Sequence, residues 1–234
     1  MALALIGVLV AVVVVYRMRD GLGRSKAHVL LGGLLVAGIV LMGLTVHREI
    51  TGGAKIDEPV HASPGFVLGR EIAAAFPDGG QVIALDFTPG TSAEKRIHNA
   101  RLSGLRQGLG ESRFEVVSAS SRLTPQDLAS LDGSMLPVES FQEGADQHPD
   151  AIAMVSFLGL PRARKAKDLA SLPPVYAVEL NNPGAAQAYV NKGFIPAAVC
   201  YLPTADWRQT PPRGANADEV FAMFYVLLSG KTSG

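Results

Sequence analysis

The sequence predicts a doubly wound α/β domain with a five-stranded parallel sheet, preceded by two transmembrane helices. Three observations lead to this fold class. Two apolar runs without charge occupy residues 2–16 and 27–46, short apolar runs alternate with amphipathic segments after residue 80, and only 18% of the 234 residues are charged. Strands that are apolar on both faces are typical of parallel sheets covered by helices on both sides.

The first 46 residues predict a two-helix membrane hairpin. At 1.5 Å per residue, run 27–46 spans about 30 Å, the thickness of a hydrocarbon core, and run 2–16 spans about 22 Å. A cleaved signal peptide would carry positive residues before its apolar run, whereas here they follow it. An uncleaved anchor with a different start remains the alternative.

The loop RMRDGLGRSK (17–26) sets the expected orientation. It carries four Lys or Arg against one Asp, and such a short basic loop stays in the cytoplasm. We therefore expect a cell-membrane protein whose two termini and soluble domain are extracytoplasmic. Residues 47–65 have no period and are rich in Gly and Pro, which indicates an extended stalk before a soluble lobe over 66–231.

The soluble part reads as alternating strands and helices. The predicted strands are 81–87, 114–119, 151–157, 175–180 and 196–202. The predicted helices are 92–109, 125–131, 138–148, 162–172, 184–193 and 217–229. With strands of five to seven residues between helices, consecutive strands are expected to be parallel.

The composition excludes several functional classes. One cysteine, Cys200, rules out a disulfide scaffold and a Cys-based zinc site, and its place in mid-strand predicts a buried, inert thiol. From residue 51 onward there are 16 Lys and Arg against 19 Asp and Glu, a balance that does not suit a nucleic-acid partner. Nothing in the sequence predicts a metal or a cofactor.

Signals for an enzyme are weak. The sequence has neither a G-x-G-x-x-G after the first strand nor a G-x-S-x-G elbow. Asp86 ends a strand, where a catalytic acid could sit, but spacing ties no second carboxylate or histidine to it. His98 is therefore expected to be structural or solvated. We expect a protein without enzymatic activity.

A basic cluster lies within the predicted helix 162–172. Arg162, Arg164, Lys165 and Lys167 stand within six residues. The simplest interpretation is a solvated helix face, and contact with lipid headgroups or with a partner is the alternative.

Five segments in order resemble the C-terminal lobe of type I periplasmic sugar-binding proteins, the ribose-binding-like receptors of ABC importers. They are GREIAAAFPDGGQVIALDF (69–87), GTSAEKRIHNARLSGLRQGL (90–109), QHPDAIAMV (147–155), PPVYAVELNNPGAAQAYVNKGFIPAAVCYLP (173–203) and ADEVFAMFYVLLSGK (217–231). The resemblance implies a single such lobe over about residues 66–231, without the first lobe that completes the ligand cleft in the family.

The resemblance also implies a candidate ligand set. Arg101 matches a family arginine that hydrogen-bonds sugar hydroxyls, through R-L-S-G. Three other polar positions of the family fall on Phe157–Leu158, Leu180 and Tyr201, so standard sugar binding is disfavoured. The polar residues left near the predicted strand ends are Asn181, Asn182, Thr88 and Thr91, although Asn181-Asn182-Pro183 also suits a turn and helix cap.

Two functions follow from these observations. The first is a membrane-anchored, extracytoplasmic solute-binding or sensing domain for a sugar-like molecule, whose second wall comes from another protomer or a separate lobe. The alternative is an interaction or scaffold module of a membrane complex that has lost ligand binding. A concave polar pocket at Arg101, Asn181 and Asn182 would favour the first, and a flat apolar face the second.

Overall fold

The computed structural model describes residues 57–110, 112–121, 135–179 and 182–230, which belong to one unit, Ile56–Gly234. These residues form an α/β fold with a mostly parallel sheet. The predicted spans at 2–16 and 27–46 lie outside the described residues, so the hairpin and its orientation stay predictions. Within the described ranges, no helix is long and apolar enough to cross a bilayer.

Helices and strands alternate along most of the described chain. The helices are α1 (Glu58–Ala75), α2 (Ser92–Leu109), α3 (Val138–Gln147), α4 (Pro183–Asn191) and α5 (Ala217–Phe224). The strands are β1 (Gly80–Phe87), β2 (Phe114–Ser121), β3 (Met135–Leu136), β4 (Ala151–Ser156), β5 (Leu160–Pro161), β6 (Val175–Val178), β7 (Ala197–Tyr201) and β8 (Tyr225–Ser229). All five predicted strands are present, and the helix predicted over 92–109 is confirmed as α2. The helix predicted over 125–131 lies outside the described residues.

The main sheet has six strands in the order β2-β1-β4-β6-β7-β8, and β3 pairs with β5 in a separate parallel ladder. The chain moves from β1 to β2 on one side, and the later strands add on the other side of β1. The direction of winding therefore reverses between β1 and β4. In open α/β sheets, ligands bind outside the carboxyl ends of the strands at such a switch point.

Helices cover both faces of this sheet. Successive residues of β1 alternate between the two cores, because side chains along a strand point to opposite faces. Val82 and Ala84 pack in a core with residues of α1, α2 and α5. Ile83 and Leu85 pack in the other core with residues of α3 and α4. All four side chains are fully or almost fully buried, which confirms the doubly wound arrangement.

Helices α1 and α2 approach so closely that only glycine fits at their contact. A Cβ atom on Gly104 would lie 2.0 Å from the carbonyl oxygen of Ala62, and one on Gly108 would lie 2.0 Å from that of Phe66. From the opposite side, a Cβ atom on Gly65 or Gly69 would lie 2.6 or 2.7 Å from a carbonyl oxygen of α2. We call these four residues the glycine seam.

The last predicted helix is shorter than expected, and the sheet gains a sixth strand. The sequence predicts helix over 217–229, but α5 ends at Phe224 and the chain continues as β8, antiparallel to β7. Val226 and Leu228 pack against one core while Leu227 packs against the other. Over five apolar residues, helical and alternating patterns are hard to distinguish, and pairing with the open edge of β7 favours the strand.

The second half of the predicted stalk is helical. Residues 58–65 form the first two turns of α1 instead of an extended linker, whereas 47–56 lie outside the described residues. Pro59 occupies the first turn, where its missing N–H would have no helical partner. Pro64 and Gly65 suggested a linker, but Gly65 is required by the glycine seam, so packing against α2 overrides local propensity.

The prediction of an α-helix over 162–172 is wrong. After β5 the described chain forms no α-helix over these residues, and Ala166–Leu169 form one 3₁₀ turn. We call residues 162–170 the strap. The hydroxyl of Tyr189 donates to the carbonyl of Ala163 and accepts from its N–H, both at 2.9 Å. These bonds use backbone groups of Ala163 that an α-helix would need for itself.

The glycine seam predicts a large effect of a single methyl group. In Gly104→Ala, the new Cβ would overlap the backbone of α1, so we expect the free energy of unfolding to fall by about 2–3 kcal/mol. Urea denaturation followed by circular dichroism measures this difference.

Gly184→Ala is the matched control, because Gly184 lies in α4 and a Cβ there would meet only Asn182 Oδ1, at 3.8 Å. That variant should be neutral or more stable by up to about 1 kcal/mol. Equal effects of the two substitutions would contradict the close contact between α1 and α2.

Candidate functional site

A buried carboxylate stands at the carboxyl end of β1, beside the switch point. Asp86 is 1% exposed. Its Oδ1 accepts the N–H of Phe87 at 2.9 Å and a second bond from Arg101 Nη1, also at 2.9 Å. Its Oδ2 lies 3.1 Å from His98 Nδ1. Both oxygens are therefore engaged by groups that favour the ionised form.

These contacts outweigh the cost of burial for Asp86. Burial alone raises the pKa of this carboxyl group. The hydrogen bond with His98, the charge and hydrogen bond of Arg101, and the Phe87 N–H lower the pKa more strongly, and the net pKa lies below its ordinary value. Asp86 is thus an anion at neutral pH, held by an arginine and a histidine.

The start of α2 orients His98 and Arg101. Thr91 caps the helix, with its hydroxyl accepting the Glu94 N–H at 3.2 Å, and the Glu94 carboxylate accepts the N–H groups of Thr91 and Gly90. This reciprocal capping box begins the helix at a defined residue. His98 and Arg101 are three residues apart, so they lie on one face of the helix. That face meets the end of β1.

Two aromatic rings flank the Arg101 guanidinium. Its carbon lies 5.5 Å from the centroid of Phe157, just after β4, and 6.0 Å from that of Phe87, at the end of β1. The Arg101 side chain is only 16% exposed. A cation between aromatic faces, with a buried carboxylate behind it, is held in one orientation. We call Asp86, His98, Arg101, Phe87 and Phe157 the edge cluster.

A second aromatic group lies further along the same edge. Tyr201, the last residue of β7, stacks with Tyr225 at 5.7 Å, and Trp207 packs edge-on against Tyr201 at 4.3 Å. Burial raises the pKa of Tyr201, and the Arg101 charge offsets part of that rise, which indicates that this ring lies within electrostatic reach of the edge cluster. Trp207 is 47% exposed, unusual for a large apolar side chain.

His61 of α1 also responds to Arg101. Burial lowers the pKa of this histidine, the positive charge of Arg101 lowers it further, and the carboxylate of Asp57 opposes both. His61 is thus favoured as a neutral ring.

The predicted ligand residues do not come together as one set of contacts. Arg101 lies at the strand edge as expected, but its Nη1 binds Asp86. Thr88 is exposed next to the edge cluster. Thr91 and Asn182 are helix caps, Asn182 through its Oδ1, which accepts the Ala185 N–H at 3.0 Å. Asn181 lies outside the described residues.

The apolar alternative for this edge is not present in the form expected. That alternative would expose Phe157, Leu158, Leu160 and Tyr201. The first three are at most 9% exposed and Tyr201 is half-buried, so they do not form a flat exposed wall. The edge instead combines one ion-paired arginine with aromatic rings. Open grooves of about 530 and 620 Å³ lie elsewhere, the first between the 3₁₀ turn and Gly230, the second between the starts of α1 and α5.

Sequence reasoning missed the joining of Asp86 to His98 and Arg101. Their separation along the chain matches no familiar motif, so the sequence does not show that the three side chains meet. The available signal was the spacing of His98 and Arg101 on the first helix after a strand that ends in Asp86. Among the described residues, no group of three or more His, Cys, Asp or Glu is placed to hold a metal ion.

Cys200 is fully buried in β7. Burial, with the nearby Glu179 charge, raises the pKa of its thiol to about 12. This is the environment of the inert thiol that the sequence predicts.

No protein-family model matches this chain, and no curated protein matches it either. Several solved structures are similar. One is the arabinose-binding protein AraP from Geobacillus stearothermophilus, 14% identical over 60% of this chain and 45% of its own, with a TM-score of 0.42. Another is a periplasmic solute-binding protein of an ABC transporter from Actinobacillus succinogenes, with bound D-allose, 12% identical over 73% and 60%, at 0.45.

A third similar structure is a solute-binding protein from Agrobacterium vitis with bound α-D-tagatopyranose, 16% identical over 70% of this chain and 48% of its own, at a TM-score of 0.42. The chain spans about half the length of the first sugar-binding proteins that it matches. At TM-scores below 0.5, these similarities say nothing of what this chain binds.

The edge cluster predicts a specific dependence of stability on Asp86. Asp86→Asn leaves Arg101 without its carboxylate partner, so at pH 7 we expect a loss of about 2–3 kcal/mol, less than for a fully buried pair because Arg101 is partly exposed. Asp218→Asn is the control, since its pair with Arg70 is more than half exposed and should contribute about 1 kcal/mol or less.

A comparison of the parent protein with Asp86→Asn at several pH values also tests the pKa of Asp86. A lowered pKa means that the stabilisation is complete above the unfolded value of about 3.9 and is lost as the pH falls toward the lower folded value. The difference in unfolding free energy between the parent protein and Asp86→Asn should therefore shrink below about pH 4. A difference that grows below pH 4 would contradict the ion pair.

Proposed function

We propose that this chain is a non-enzymatic, membrane-anchored, extracytoplasmic binding module, and that the carboxyl edge of its sheet forms one wall of a site for a small, hydroxyl-rich solute. The observation that carries this proposal is the Arg101 guanidinium, fixed by Asp86 between Phe87 and Phe157 at the switch point of the sheet.

The chemistry of the edge suits such a solute. A guanidinium has five N–H donors in one plane, and the Asp86 bond engages Nη1. Small-molecule sites combine aromatic surface with a few fixed polar groups, and a sugar-like ring offers an apolar face together with hydroxyl acceptors. Thr88 and Trp207, both exposed near this edge, would add a hydroxyl and a ring.

We propose that the edge cluster is not catalytic. Asp86 has a lowered pKa, so it stays ionised at neutral pH and is poorly matched to exchange a proton there. His98 Nδ1 lies 3.1 Å from Asp86 Oδ2, and this contact orients the ring toward the carboxylate that also holds Arg101. In this proposal, Asp86 and His98 position Arg101 and do not take part in a reaction.

The site needs a second wall. A well-bound small ligand is usually about 70–90% buried, and a single open edge cannot enclose it to that extent. In this proposal a second protomer or a separate lobe closes over the edge, as two lobes close in the receptors that the sequence resembles. On its own, the chain should bind weakly, with a dissociation constant on the order of 1 mM.

The chain's one tryptophan allows a direct test. Titrating the full chain with D-allose, L-arabinose and D-tagatose should change the Trp207 emission in a saturable manner for at least one sugar. Arg101→Met should weaken that response at least 10-fold, because it keeps the apolar stem but removes the donors.

Arg70→Met is the matched control, since it removes an exposed arginine of α1 paired with Asp218. It should titrate like the parent protein. No saturable response to any sugar, or an equal response in Arg101→Met, would contradict solute binding at the edge cluster.

The exposed Trp207 supports a second candidate, an interaction module in which this edge docks onto a protein. Tryptophan in a ring of other aromatics is the type of residue that dominates protein interfaces. If a second copy is the partner, sedimentation velocity should show self-association that Trp207→Ala weakens at least 10-fold and sugars do not change. A monomer at 100 µM would count against a second copy as that partner.

A further inference from the structure

The strap presents its basic residues from a fixed backbone. Ala163 is 8% exposed, donates its N–H to the Tyr189 hydroxyl and accepts from that hydroxyl through its carbonyl. Leu169, at the other end, is 9% exposed and packs into the core on that side of the sheet. Between these two anchors, Arg164, Lys165 and Lys167 are exposed to solvent. The basic residues thus stand on a pinned segment of the surface.

The one acidic residue among them is directed at the backbone. Asp168 Oδ2 accepts the N–H of Arg164 at 2.9 Å and that of Lys165 at 3.0 Å. Those backbone bonds, of which the one from Lys165 is the largest influence, lower the pKa of Asp168. Its charge leaves residues 162–168 with a net charge of +3. Its two hydrogen bonds hold the backbone at the start of the 3₁₀ turn.

We infer that the strap is a binding surface for an anionic phospholipid bilayer. The headgroups would contact four basic side chains, Arg162, Arg164, Lys165 and Lys167. The hydrogen bonds with Tyr189 and the burial of Leu169 would hold the backbone beneath them. This surface is separate from the edge cluster, and it lies on the side of the sheet covered by α3 and α4. Lipid binding by the strap therefore does not depend on whether the edge cluster binds a solute.

The charge distribution favours a bilayer over a nucleic acid. Clusters of Lys and Arg next to a membrane bind anionic lipids through additive contributions. A nucleic-acid site would need a longer basic surface, whereas residues from 51 onward carry more acidic than basic side chains. The sequence also predicts membrane spans at 2–16 and 27–46, and in this respect the inference rests on the membrane anchoring of the proposed function.

A fluorescent probe on the strap tests this inference directly. Ala166 is exposed in the 3₁₀ turn, and Cys200 is fully buried, so the full chain carrying Ala166→Cys can be labelled at that position with an environment-sensitive dye. The labelled protein is titrated with vesicles of phosphatidylcholine alone or with 30% phosphatidylglycerol. Any insertion of residues 2–46 would contribute with both kinds of vesicle, so the inference is judged by the difference between them.

We expect the dye emission to shift to the blue with the anionic vesicles, at a lipid concentration at least 10-fold below that needed with phosphatidylcholine. Raising NaCl from 0.1 to 0.5 M should abolish this preference through screening. Combining Arg164→Glu, Lys165→Glu and Lys167→Glu should remove it as well. The control combines Lys95→Glu, Arg106→Glu and Lys192→Glu, which reverses three exposed charges elsewhere and should keep the preference.

Three results would overturn the inference. One is an equal shift with both kinds of vesicle, and another is an equal loss in the strap variant and the control variant while both keep the parent circular dichroism spectrum. The third is displacement of the anionic vesicles by a DNA duplex at a lower charge concentration than the lipid itself, which would assign the strap to a nucleic acid.

Discussion

The close contact between α1 and α2 is the constraint on which the rest of the described structure depends. The glycine seam lets two backbones meet where any Cβ would overlap a carbonyl oxygen. At its upper end, the position of a Gly65 Cβ is 2.6 Å from the carbonyl oxygen of Arg101, so the seam extends to the residue at the centre of the site. A wider separation of the helices would move Arg101 relative to the end of β1.

The position of α2 in turn makes a buried charge tolerable. A carboxylate that is 1% exposed must find partners or become neutral, and Asp86 finds them in His98, Arg101 and its neighbouring backbone N–H. Because Arg101 is also confined between Phe87 and Phe157, the ion pair has one geometry. Packing of helices therefore determines electrostatics at the sheet edge, and the two cannot be varied independently.

Two surfaces of different chemistry result from this architecture. The strand edge combines an oriented guanidinium with aromatic rings and lies at the switch point, which suits recognition of a compact ligand. The strap displays separate cations on a pinned backbone, which suits an extended anionic surface. The proposed binding module, closed by a partner at its edge and held on a membrane by its strap, would use both surfaces.

Local signals, namely apolar periodicity and capping residues, were enough to predict the α/β class, the five parallel strands and the bounds of α2. The sequence also placed Arg101 at the strand edge and Asn182 at a helix cap. It could not determine that residues 58–65 are helical, that 225–229 form a strand or that 162–172 form no α-helix. Those outcomes depend on Gly65 meeting α2, on the open edge of β7 and on Tyr189 binding Ala163, each a contact between distant residues. Tertiary structure alone joined Asp86 to His98 and Arg101, since an ion pair across a strand and a helix depends on how closely the two elements pack.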